Sequence, residues 1–121
     1  MYSALILNDK SHNRLVQAFS KDIPEGWEVI AHHMTIKMGP LTGKFEQLKG
    51  LEAKATVTHF ACNDRVCAVL VDTLVPSTNQ VKHITLAVNR QAGGKPHMSN
   101  NLKDWQQVAP VVLFGLIQES E

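Results

Sequence analysis

HHMTIKMG, residues 32–39, sets two adjacent histidines and a threonine into a short run whose apolar members would otherwise mark a buried strand. KHITLAVN, residues 82–89, repeats the grammar of histidine, apolar residue, threonine, apolar residue. Side chains alternate across a strand, so His33 and Thr35 share one face while His32 and Met34 take the other. The same alternation puts His83 and Thr85 together. His32, on the opposite face, then reads as a packed or hydrogen-bonded residue and not as a reactive one.

Around these two runs the chain reads as short strands broken by turns and a few helical stretches. YSALIL (2–7) is a buried strand closed by Asn8 and Asp9. SHNRLVQAFSKD (11–22) carries Leu15, Val16 and Phe19 at helical spacing, with Asn8, Asp9 or Ser11 as N-cap. Pro24 and Gly26 end that helix, and WEVIAHHMTIKM (27–38) reads as one long strand. LTGKFEQLKGLEAK (41–54) is a short helical turn or loop. ATVTHFAC (55–62) and VCAVLVDTL (66–74) form a hairpin across Asn63, Asp64 and Arg65. VKHITLAVN (81–89) is a further strand. GGKPHMSNN (93–101) is a turn-rich loop, LKDWQQV (102–108) a short helix capped by Ser99 or Asn100, and PVVLFGLI (110–117) a last buried strand. Irregular alternation with a central antiparallel hairpin predicts an α+β fold, one domain over 1–121, and argues against a doubly wound parallel sheet. Gly93-Gly94 lacks the spacing of a dinucleotide or phosphate-binding fingerprint.

The 121 residues are 44% apolar and 19% charged with a net charge of +1, the composition of a globular domain that can bury a core without staples. Near-neutrality excludes an extended nucleic-acid surface, so any anion must be held locally. The first residues carry no basic leader, and no run approaches the ~20 apolar residues that span a bilayer. A cytoplasmic protein without membrane contact is therefore expected, with Cys62 and Cys67 as free thiols. His59, Cys62 and Cys67 lack a second ligand pair for zinc, and no metal or cofactor is expected. Trp27 and Trp105 read as packing residues.

If the two His/Thr runs meet across a groove, two imidazoles and two hydroxyls converge on an apolar frame. A threonine hydroxyl can donate to a phosphoryl oxygen, and imidazoles that titrate near ~6.5 can take and give protons. In-line attack at phosphorus needs one group to deprotonate the nucleophile and another, on the far side, to protonate the leaving oxygen.

The two H-x-T-x runs, His33-Met34-Thr35-Ile36 and His83-Ile84-Thr85-Leu86, resemble the paired motifs of the 2H phosphoesterase superfamily. HHMTIKMGPL and HITLAVNRQAGGKPHMSNNLKDW are most similar to the branch holding the cyclic phosphodiesterase domain of fungal tRNA ligases and small phage and bacterial relatives. The resemblance implies a two-lobed, pseudo-twofold arrangement of mostly antiparallel sheets around a central groove. It implies metal-independent hydrolysis of nucleoside or RNA-terminal 2',3'-cyclic phosphates, with His33, Thr35, His83 and Thr85 catalytic. Small cyclic or 2',5'-linked oligonucleotide signals are the alternative substrates, and a non-catalytic module that binds nucleotides or RNA ends is the alternative role. Lys95, Ser99 and Asn100, in the loop after the second motif, are the expected substrate contacts; His97 is read as a solvated loop residue.

Overall fold

A computed structural model describes residues 1–121. In chain order the elements are β1 (Tyr2–Leu7), α1 (Asp9–Ala18), β2 (Glu28–Val29), β3 (His33–Met38), β4 (Glu52–Cys62), β5 (Val66–Asp72), β6 (His83–Val88) and β7 (Gln106–Ser120). Three 3-10 turns, Gly43–Leu48, Arg90–Ala92 and Pro96–Asn101, lie between them. No helix is long and apolar enough to cross a membrane.

The strands form a closed, fully antiparallel barrel in the order β6-β3-β1-β7-β4-β5, with β5 returning to β6 and β2 lying against β6. This corrects the α+β, two-lobed expectation: the fold is mostly β. Two connections remove the lobes. β7 is 15 residues long and pairs with β1 through Gly115–Ser120 and with β4 through Gln106–Leu116, which stitches the N-terminal strands to the central hairpin. β6 then pairs with β5 along one edge and touches β3 on the other through Met34 and Ile84. A sheet closed in this way has no second lobe to face.

Inside the barrel, Leu5, Met34, Ile36, Val57, Val69, Ile84, Leu86, Leu113 and Ile117 form a continuous core with almost no solvent exposure. Each large aliphatic side chain buried there contributes about 1.5–3 kcal/mol. Along β7 the alternation is regular: Leu113, Gly115 and Ile117 are buried while Val112, Phe114 and Leu116 face out. α1 begins where β1 ends. Its N-cap Asn8 accepts from the Ser11 amide at 2.8 Å, and Leu15 and Phe19 enter the core. The Asn8 amide donates to the Phe114 carbonyl at 3.0 Å and the Phe114 amide donates to Ser11 Oγ at 2.8 Å, so the helix start takes over from β1 as the partner of β7.

Three local readings also change. Residues 27–38 are not one strand, because Ala31 takes φ 44 and divides β2 from β3. Residues 102–108 are not a helix: Asp104 has φ 58 and Gln106 already starts β7. Cys62 and Cys67 are not free thiols. They stand directly opposite in the β4–β5 register, Cα to Cα 4.1 Å, and are joined in a disulfide.

Gly115 marks a close approach of β7 to β1, since a Cβ there would strike the Ile6 carbonyl and approach Leu5 Cδ1 to 3.1 Å. Strand β1 is held by β3 and β7 on its two sides and has no room to yield. Gly115→Ala is expected to destabilise the fold by about 1–3 kcal/mol, read as a lowered midpoint of denaturant unfolding.

Candidate active site

The Met34–Ile84 pair decides what surrounds it. Both side chains are buried in the barrel core, so their immediate neighbours point to the other face. The one ladder pair sets His33 and Thr35, on either side of Met34, beside His83 and Thr85, on either side of Ile84. All four line one cleft of about 560 Å³, together with Tyr2, Ile30, Met38, Thr78, Asn79, Pro96, His97 and Asn100. The cleft walls are two loops. The 77–79 loop docks on β3 where β6 has not yet begun: the Thr78 amide donates to the Ile36 carbonyl at 2.7 Å and Ser77 Oγ to the Thr35 carbonyl at 2.8 Å. The 3-10 turn Pro96–Asn101 covers the outer face of β6.

The two imidazoles sit in a dry setting. Burial, with the nearby charges of His32 and His83, lowers the pKa of His33 from the ordinary 6.5 to about 4. Burial also lowers His83, opposed in part by its bond to Val81. That a charge on His83 disfavours one on His33 puts both rings in one electrostatic field. His83 Nδ1 lies 3.1 Å from the Val81 carbonyl. A carbonyl only accepts, so Nδ1 carries the proton and neutral His83 offers the lone pair of Nε2. Tyr2 stacks on His33 with centroids 4.6 Å apart, which fixes the plane of that ring.

The hydroxyls differ. Thr85 Oγ1 donates to the Pro96 carbonyl at 3.2 Å, a long O–H···O bond that a stronger acceptor can displace. Ser99, fully buried, lies with its Oγ 2.7 Å from Thr85 Oγ1. With the threonine proton on Pro96, Ser99 is the donor. Thr35 makes no such side-chain bond and is half-buried in the cleft wall.

Of the expected substrate contacts, Asn100 lines the cleft, Ser99 lies behind Thr85, and Lys95 is exposed and outside the lining. Neither Ser99 nor Asn100 caps a helix over 102–108, because both lie within the 3-10 turn Pro96–Asn101 and no helix follows it. His97, read as solvated, is exposed and lines the cleft. Sequence reading missed Tyr2, Thr78 and Asn79. No pattern in the sequence brings them to the histidines; only barrel closure does.

His32 also departs from expectation. The β2–β6 register, Glu28 opposite Val88 and Val29 opposite Ala87, extrapolates to His32 opposite Ile84 and pointing inward. Met34 takes that place instead. The left-handed turn at Ala31 absorbs the slip, a conformation that costs an L-residue roughly 1–2 kcal/mol. His32 is thereby thrown outward, exposed, with its Nδ1 2.9 Å from Nδ1 of His33. No three His, Cys, Asp or Glu side chains converge to hold a metal ion, the His59, Cys62 and Cys67 set included.

The model of the fungal tRNA ligase phosphodiesterase domain matches residues 9–111. That span takes in β3, β6 and both cleft loops, and leaves β1 and the last residues of β7 outside it. No curated protein and no solved structure matches the chain.

Lowered histidine pKa values link stability to pH. The unfolded chain takes up a proton near 6.5 that folded His33 refuses until about 4, so stability is full above that window and falls as pH drops through it. His83 acts in the same direction. Urea midpoints measured across this range should decline toward acid, and His33→Gln should flatten the decline.

Proposed function

The chain belongs to the family of the fungal tRNA ligase phosphodiesterase domain, and from that premise we propose that it hydrolyses 2',3'-cyclic phosphates of nucleotides or RNA ends with two histidines and no metal. The observation that carries this reading is the convergence of His33, Thr35, His83 and Thr85 on one cleft from strands fifty residues apart. The pairing of H-x-T-x runs is that of the 2H phosphoesterases, and the cleft is large enough for a nucleotide and far too small for a duplex.

In this mechanism the phosphate lies between the two rings. His83 Nε2, a lone pair in the resting tautomer, takes a proton from the attacking water. The water oxygen bonds to phosphorus as the bond from phosphorus to one ribose oxygen breaks. His33 gives a proton to that departing oxygen. Thr35 donates to a non-bridging oxygen. Thr85 joins it by turning its proton away from Pro96, and Ser99 keeps the hydroxyl in place as it turns. Donors held ready for developing charge act most strongly in a site with little water. Asn100 and His97, with Thr78 and Asn79 across the cleft, are positioned for the ribose and base, while exposed Lys95 would meet a following phosphate only in a longer RNA end.

Both rings resist protonation in the free protein, and an anionic phosphate between them favours the charged form. The acid limb of kcat/KM, which reports the free protein, should therefore fall below the ordinary histidine value of 6.5, and that of kcat should lie at higher pH. His33→Ala and His83→Ala should each lower kcat on 2',3'-cyclic nucleotides by about 10²–10⁴, with wild-type turnover unchanged by excess EDTA. Full activity in either variant, or loss of wild-type activity on chelation, would refute the mechanism.

A further inference from the structure

His32 is the member of the opening stretch that two-histidine chemistry leaves without a task, yet the backbone is bent to put it where it is. Four hydrogen bonds hold the left-handed turn at Ala31. The Ile30 and Ala31 amides donate to the Leu86 and Thr85 carbonyls at 2.7 and 3.0 Å, and the Leu7 amide donates to the His32 carbonyl at 3.0 Å. From α1, His12 Nδ1 donates to the Ala31 carbonyl at 2.8 Å. The result is an edge-on pair, His32 and His33, with ring centroids 5.1 Å apart and planes at 83°.

Two imidazole nitrogens 2.9 Å apart must share one proton, because two lone pairs or two N–H groups would repel. We infer that His32 is a positioning residue whose Nδ1–H donates to Nδ1 of His33, locking His33 as the tautomer that presents Nε2–H to the cleft. The inference rests on the acid role proposed for His33. Exposure favours this direction, since solvent can stabilise a proton on His32 and cannot reach His33 as freely. The other groups facing His33 are His83, His97 across the cleft and the Tyr2 ring, and none of them bonds its Nδ1.

The arrangement makes the two cleft histidines complementary before substrate arrives. Val81 holds His83 as the Nδ1–H tautomer, an acceptor toward the cleft, and His32 holds His33 as the opposite tautomer, a donor. Neither ring has to be charged, which suits rings whose burial disfavours the cation. As the ribose oxygen departs with the electron pair of its bond to phosphorus, it takes the Nε2 proton of His33. Nδ1 of His33 takes the proton of His32 Nδ1, and the exposed His32 ring takes one from solvent. When product leaves, solvent returns a proton to His33 Nε2, the Nδ1 proton goes back to His32, His32 releases one to solvent, and His83 releases the proton that water gave it, so the cycle balances.

Long-range proton–nitrogen correlation spectra of the ring nitrogens decide the point without turnover. In the wild-type chain at neutral pH, His33 should be protonated at Nε2 and His83 at Nδ1. His32→Phe should leave the fold intact, mix the His33 tautomers, and lower kcat by about 10-fold to 100-fold with KM nearly constant. His32→Gln, whose side-chain amide can still donate, should restore the Nε2–H tautomer and part of kcat. A His33 proton found on Nδ1 in the wild-type chain, or a His32→Phe variant with unaltered tautomer and kcat, would overturn the inference. A wild-type chain with no phosphodiesterase activity would overturn the reaction proposed above, and the spectra would still decide the tautomer.

Discussion

The contact between Met34 and Ile84 is the constraint on which the rest depends. It is the one ladder position at which β3 meets β6, and with it the barrel closes. Because both side chains are driven into the core, His33, Thr35, His83 and Thr85 are driven out of it together, onto one surface. The apolar residue between each histidine and threonine is thus what aligns them. Burial of the spacer residues and convergence of the polar ones are a single event, and a one-residue slip of either strand would undo both.

The cleft is dry enough to shift the rings it holds. Desolvation lowers both histidines, which lessens the population of the cationic acid that a simple pair of imidazoles would use near neutrality. The surroundings compensate by hydrogen bonding: Val81 backs one ring, His32 lies against the other, and Ser99 and Pro96 hold Thr85. These are backbone carbonyls and neighbouring side chains on loops fixed to the barrel, so the orientation of the groups in the cleft is tied to the integrity of the fold.

The left-handed Ala31 shows how local strain and tertiary support combine. In isolation nothing would hold an alanine at φ 44. In the barrel, β6, β1 and α1 each contribute a hydrogen bond to the segment around it. A residue read by simple alternation as belonging to the far face, His32, is carried around to the near one. The same supported turn separates β2 from β3, where the sequence offers an unbroken run from Trp27 to Met38 with no glycine or proline to announce a break.

Much is legible in the sequence alone. Alternation pairs His33 with Thr35 and His83 with Thr85; Asn8, Asp9 and Ser11 together mark the start of α1, of which Asn8 is the cap; Asn63, Asp64 and Arg65 mark the hairpin between β4 and β5. These are local properties, set by side-chain direction within one strand or by the hydrogen-bonding reach of a capping or turn residue, and they belong to the chain itself. Barrel closure, the disulfide between Cys62 and Cys67, the burial of Ser99 behind Thr85, the arrival of Tyr2, Thr78 and Asn79 at the cleft, and the placing of His32 against His33 were decided only in three dimensions. Each depends on register between strands distant in sequence, and register is fixed by how whole side chains fill a shared interior, which no single segment encodes.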